Sequence, residues 1–118
     1  KILIKNNFGR LIFVSSTRAL RGDVGTSGYS ISKHGILGMM KSFSKELSRF
    51  NVTSNCLSLG FFESPSFKKI NKTTRENLLN KCDNKSMGDI NSIVNAIKFI
   101  SNSNYVTGST IFVDGGYQ

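Results

Sequence analysis

Two short apolar runs, each the length of a buried strand, flank one long helical segment. Gly9-Arg10-Leu11-Ile12-Phe13-Val14-Ser15-Ser16 is apolar through its middle and ends in hydroxyls, the pattern of a strand covered on both faces. Asn51-Val52-Thr53-Ser54-Asn55-Cys56-Leu57 begins a second such run. Between them a Gly-rich connection, Gly22 to Gly28, leads into a helix from about Gly28 to Phe50. A crossover of that length suits parallel pairing. A helix tail at Lys1 to Lys5 precedes this unit. An irregular aromatic segment, two shorter helices and a last strand near Thr110 to Val113 follow it. The expectation is an α/β fold built on a parallel sheet.

Three residues carry chemistry. Tyr29 and Lys33 stand four apart on the helix, so both side chains share one face, one turn apart. An ammonium beside a phenol favours the phenolate form, and a tyrosine so placed can exchange a proton in catalysis. Ser16 closes the first strand, where its hydroxyl could hydrogen-bond the oxygen of a reacting carbonyl or alcohol. Taken alone, the Tyr29–Lys33 spacing also suits a half-buried tyrosine beside a solvated lysine. The surrounding motifs are more specific: after the second strand comes Gly60-Phe61-Phe62-Glu63-Ser64, and the chain closes on Tyr105-Val106-Thr107-Gly108 and Ile111-Phe112-Val113-Asp114-Gly115-Gly116.

In their order and spacing these motifs resemble the C-terminal half of the short-chain dehydrogenases/reductases, of the type that includes the 3-oxoacyl-carrier-protein reductases. The similarity runs from about Asn7 to Gln118. It implies a Rossmann-like, doubly wound parallel sheet of which residues 1–118 supply only the later strands and helices. Those residues would form the catalytic and substrate-binding part of one NAD(P)-binding domain. By position, Ser16 resembles the substrate-orienting serine, Tyr29 the acid/base, and Lys33 the lysine that also hydrogen-bonds the nicotinamide ribose. Tyr29, Lys33, Gly60, Phe62 and Ser64 then resemble the contacts to NAD or NADP. Two departures stand out: Leu59-Gly60 replaces the usual Pro-Gly, and no Gly-rich dinucleotide loop follows a strand at the start of the chain. The resemblance implies an oxidoreductase moving hydride between nicotinamide and a small carbonyl or alcohol substrate. The rival reading is a non-catalytic remnant of that family serving as an oligomerisation module.

Charge and cysteines bear on the partners. A formal charge of +9 raises nucleic-acid binding, but the basic residues are scattered and no basic recognition element stands out, so that class is set aside. Arg18 and Arg21, just after Ser16, are the candidates for touching an acidic substrate, or else are solvated loop cations. Neither a membrane-spanning run nor a signal segment is evident, which fits a cytoplasmic protein. Cys56 reads as a small buried hydrophobe, a disulfide with Cys82 is not expected, and Glu63 and Asp114 are too isolated for a metal site. Asp89 reads as a helix N-cap and His34 as a structural residue.

Apolar residues on the long helix (Ile31, Ile36, Leu37, Met39, Met40, Phe43, Leu47, Phe50) occupy more than one stripe. A second partner helix is implied, and the resemblance places it across a two-fold interface, giving a homo-oligomer (dimer or tetramer) through Gly28–Phe50. A fully internal helix is the alternative. Phe61, Phe62, Pro65 and Phe67 form an aromatic segment beyond a strand's carboxyl end, where ligands of open α/β sheets bind. It reads as a substrate lid or as an ordinary apolar patch.

Overall fold

A computed structural model describes residues 1–117. Gln118, the last residue of the expected domain, and the side chain of Ser66 lie outside the described residues. The strands β1 (Gly9–Ser16), β2 (Val52–Leu59) and β3 (Thr110–Val113) form a parallel sheet in the order β1-β2-β3. β1 and β2 run in register from Gly9↔Val52 to Ser16↔Leu59, and β2 and β3 from Cys56↔Thr110 to Leu59↔Val113. The central strand is accordingly buried from Val52 to Ser58. The chain has the expected α/β, Rossmann-like architecture.

Many of the buried residues on β2 are small and polar, and most of their polar groups are placed by a neighbour, the Thr53 hydroxyl being the exception among the described residues. The Ser54 hydroxyl donates to the Met40 carbonyl at 2.9 Å, and the Ser58 and Thr17 hydroxyls lie 3.1 Å apart. Small side chains let a helix approach a strand closely, and a hydrogen bond offsets the cost of burying the Ser54 and Ser58 hydroxyls. The buried amide of Asn55 closes the loop that leads into β3. Its Nδ2 donates to the Val106 carbonyl at 2.7 Å, and its Oδ1 accepts from Ser109 N–H at 3.1 Å. Thr107 Oγ1 accepts from Ser54 N–H at 3.1 Å, and Gly108 N–H donates to the Ser54 carbonyl at 2.7 Å. The Val52-to-Asn55 and Val106-Thr107-Gly108 motifs are thus two halves of one structural lock.

The long helix lies on β1 and β2. Helix α1 spans Ile2–Lys5, α2 spans Thr17–Arg21, and α3 spans Ser27–Glu46. α3 buries Met40 and Ser44 and sets Phe43 against Phe13 with ring centroids 6.2 Å apart. It ends before the expected Phe50. A 3₁₀ turn at Ser48–Phe50 follows, and then Asn51 takes a left-handed conformation at φ 54° that turns the chain into β2. Asparagine is among the few non-glycine residues that tolerate this region. Ile31 and Met39 of α3 stay exposed.

The segment from Thr17 to Arg21, expected as loop, is the short helix α2. After β2 there are three helices where the sequence suggests two: α4 (Pro65–Lys68), α5 (Lys72–Leu79) and α6 (Ile90–Asn102). Asn71 caps α5 by accepting from Thr74 N–H at 2.8 Å. Asp89 caps α6 as expected, accepting from Asn91 N–H at 3.1 Å.

Candidate active site

The carboxyl ends of β1 and β2 open into a cleft of 330 Å³ lined by Ser16, Arg18, Tyr29, Gly60, Phe61, Ser64, Phe67, Ile70 and Tyr117. Each polar residue reaches it for a local reason. Ser16 is the last residue of β1 and flanks α2 in extended conformation, yet its hydroxyl makes no capping bond to that helix. Tyr29 stands in the first turn of α3 and is half exposed. Neither hydroxyl is engaged by another described residue.

Lys33 does not line the cleft. Its ammonium donates to the Val14 carbonyl of β1 at 3.1 Å and lies 5.8 Å from the centroid of the Tyr29 ring. The Ser15 hydroxyl donates back to the Lys33 carbonyl at 3.3 Å. The lysine therefore ties the start of α3 to the end of β1, and Tyr29 sits on that tied turn. His34, one residue on, turns its Nδ1 to the Ser30 carbonyl at 2.9 Å within its own helix.

Gly60 forms a wall of the cleft at the point where β2 leaves the sheet. Its N–H donates to the Val113 carbonyl at 3.0 Å, so pairing continues through Leu59-Gly60 despite the absent proline. A Cβ at Gly60 would lie 2.5 Å from Asp114 Cα, so only glycine permits this approach. Ser64 also lines the cleft, and its Oγ accepts from Phe67 N–H at 3.1 Å, fixing the start of α4. Phe62 is placed elsewhere. It forms a bridge with Gly88 and lines a smaller hollow of 90 Å³ together with Asn84, Met87 and Asp114. Of the six residues singled out for catalysis or cofactor contact, Ser16, Tyr29, Gly60 and Ser64 share the cleft, whereas Lys33 and Phe62 do not line it.

The apolar wall is an aromatic cluster. Phe61 packs on Phe67 with centroids 5.5 Å apart and meets Tyr117 edge-on at 5.3 Å. Arg75 lies 5.3 Å from the Phe67 centroid. Tyr117 is buried and bridges to Cys82 in antiparallel fashion. Its place at the cleft has no local signal in the sequence, because it depends on a pairing between distant segments.

Other groups are quiet. Burial pushes the Cys56 thiol up from its ordinary range, which keeps it a thiol and a poor nucleophile. Among the described residues no cluster of histidine, cysteine and carboxylate could hold a metal ion, and no helix is long and apolar enough to cross a membrane.

A family model described as enoyl-(acyl carrier protein) reductase matches residues 1–118. The chain is 35% identical over 118 residues to a 3-oxoacyl-acyl-carrier-protein reductase of Rickettsia felis, covering 98% of this chain and 49% of that protein. It is 34% identical over 116 residues to the enzyme of the same name from Thermotoga maritima, covering 97% of this chain and 47% of that protein. Nodulation protein G of Rhizobium sp. is 32% identical over 116 residues, at 97% and 47% coverage. The chain spans about half the length of the curated relatives it matches. The match along the whole chain and the ordered motifs around the cleft agree: the protein belongs to the short-chain dehydrogenase/reductase family.

Proposed function

We propose that this chain carries the proton-transfer and substrate-binding half of an NAD(P)-dependent oxidoreductase acting on a carbonyl or alcohol. The observation that carries this reading is that Ser16 and Tyr29, whose hydroxyls are engaged by no other described residue, line one cleft together with Gly60 and Ser64. Two hydroxyl groups suit a carbonyl oxygen: one holds it by a hydrogen bond while the other delivers or removes its proton. Tyr29 is the proton carrier and Ser16 the orienting donor. Lys33 holds the turn on which Tyr29 stands and keeps a positive charge beside its ring.

The residues present fit the nicotinamide end of NAD or NADP. Gly60 offers a wall bare of side chain, and the Ser64 hydroxyl stands next along the same segment. Phe62 belongs to that segment through its backbone, its ring being packed against Gly88. A bound nicotinamide supplies the hydride that a protein side chain cannot. The aromatic wall of Phe61, Phe67 and Tyr117 takes the apolar part of the substrate.

Lys33 separates this reading from a purely structural one. In the natural protein, Lys33→Ala is expected to raise the KM for the nicotinamide cofactor and to lower kcat, because it removes both the tether to Val14 and the charge beside Tyr29. Steady-state kinetics with varied cofactor check it. Unchanged values of both would leave Lys33 as an ordinary helix residue.

α3 is also proposed as a surface joining copies of the chain. Ile31 is 74% exposed and Met39 42%, and a Cβ at Gly35 or Gly38 would meet no neighbour within 4 Å. This open, partly apolar strip suits a second helix laid along it. Gly38→Arg is expected to shift the natural protein toward monomer in sedimentation. An unchanged assembly would place the interface elsewhere.

A further inference from the structure

We propose that Arg18 selects the substrate by binding an anionic group, a carboxylate in the first instance, carried on the oxo compound that enters the cleft. The inference rests on the oxidoreductase reading only for the nature of the reacting end; the anion site stands on geometry of its own.

Among the described residues lining the cleft Arg18 alone is charged, and it shares that lining with Ser16 and Tyr29. Arg21, the other cation of α2, is exposed and takes no part in it. The Arg18 guanidinium is held by its edge: Nε donates to Asp23 Oδ2 at 2.9 Å. Asp23 is itself fixed, since its Oδ1 accepts from Val24 N–H at 2.9 Å. Its backbone N–H donates to Thr26 Oγ1 at 3.0 Å, and that hydroxyl donates back to the Asp23 carbonyl at 2.7 Å. The turn between α2 and α3 is therefore a bracket for one arginine.

That bracket occupies only Nε. Among the described residues the terminal nitrogens of Arg18 have no hydrogen-bond partner. Their N–H groups form the fork that receives a carboxylate or phosphate through two parallel bonds. The Arg18 side chain is 38% exposed and its partner 21%, and Asp23 is not among the residues lining the cleft. An entering anion thus meets Arg18 at a lining to which, among the described residues, Asp23 does not contribute. Because the pair is electrically balanced, selection comes from directed hydrogen bonds at short range and not from a long-range field. The Val24 N–H first, and the Arg18 guanidinium second, hold the Asp23 carboxyl below its ordinary value of 3.8. The carboxylate, and with it the bracket, is present above that range and is lost only as the pH falls through the lowered value.

With one end of the substrate at Ser16 and Tyr29 and the other at Arg18, the cleft suits a short oxo acid better than its neutral ester. The reaction balances in the ordinary way: hydride from NADH or NADPH forms the new C–H bond at the carbonyl carbon. The Tyr29 phenol supplies the proton on oxygen, and the anionic group is unchanged throughout.

Acetoacetate and methyl acetoacetate are the probes, because they share the reacting ketone and differ in charge. In the natural protein the ratio of kcat/KM for acetoacetate over the ester is expected to exceed about 10, and Arg18→Leu to lower that ratio by about 10- to 100-fold, as the loss of a paired charge-assisted contact implies. Arg18→Lys, which keeps charge without the fork, should recover only part of it. A ratio near unity in both forms overturns the inference. So does an Arg18→Leu effect confined to the KM of the dinucleotide, which would assign the arginine to the cofactor's diphosphate.

A binding readout is independent of turnover. The Arg18 Nε–H resonance of the wild-type protein is expected to shift on titration with acetoacetate and not with the ester. A shift without any reduction of either ketone supports the Arg18 site and overturns the oxidoreductase reading. Reduction without a shift overturns the Arg18 site and leaves that reading standing, and the absence of both shift and reduction overturns the Arg18 site.

Discussion

Tyr29→Phe is expected to lower kcat for carbonyl reduction by about 10² to 10⁴, the usual contribution of a positioned acid or base, while leaving dinucleotide binding nearly intact. The substitution removes one phenolic oxygen and nothing else. Tyr29 is half exposed and its hydroxyl holds no other described residue, so the fold loses no hydrogen bond. The ring stays on the turn that Lys33 ties to β1 through the Val14 carbonyl. An effect on kcat and kcat/KM together, with cofactor affinity retained, marks an interaction made in the transition state. Rapid-mixing or steady-state kinetics of the natural protein, with the dinucleotide titrated separately, measure both. A variant keeping more than about half of the wild-type kcat would remove Tyr29 from the chemistry, since even a modest acid/base role is worth about 10².

The second large effect falls on stability. Asn55→Ala is expected to destabilise the fold by about 2–5 kcal/mol, because it strands two part-buried backbone groups at up to about 1–3 kcal/mol each and leaves a small void in place of a fully buried amide. Those groups are the Val106 carbonyl and the Ser109 N–H, now held at 2.7 and 3.1 Å by one amide whose residue is fully buried. Their loss loosens the loop that delivers β3 to β2 at Cys56↔Thr110. Asn71→Ala makes the contrast: it removes an exposed cap to Thr74 N–H and should cost only about 1 kcal/mol. Denaturant midpoints of the two variants at equal m-value test the ranking. Equal losses would mean that the lock carries no more stability than a surface cap.

Much of the sheet could be read from residue order. The apolar runs at Gly9–Ser16 and Val52–Leu57 mark β1 and β2, and the last strand lies at Thr110–Val113 as expected. The convergence of Ser16 and Tyr29 was also legible, because a strand end and the start of the following helix meet at the same edge of an α/β sheet. Less legible were features set by distant pairing. Phe61 and Phe62 are adjacent, and both line the smaller hollow, but only Phe61 also lines the cleft. Which of them faces the cleft is decided by the Phe62↔Gly88 bridge, twenty-six residues away in the chain. Tyr117 reaches the aromatic wall through its bridge to Cys82. Arg18 was one of two equivalent cations until α2 formed: the short helix leaves Arg21 exposed and sets Arg18 against Asp23.

The same physics accounts for the early end of α3. Its apolar residues extend to Phe50, so hydrophobic pattern alone continues the helix. Entry into β2 at Val52, paired with Gly9, forces a turn before that point, and Asn51 supplies it. Pairing in the sheet overrides local helix propensity here.

Transfer of deuteride tests the central claim most directly. The natural protein is incubated with acetoacetate or its methyl ester and with NADH or NADPH carrying deuterium at the hydride-donating position of the nicotinamide. Mass spectrometry and NMR of the product alcohol then locate the label. The expected result is one deuterium on the carbinol carbon in ordinary water, with Tyr29→Phe forming little labelled product in the same time. Absence of label from both dinucleotides, or label found only when the solvent is heavy water, would contradict hydride transfer at this cleft.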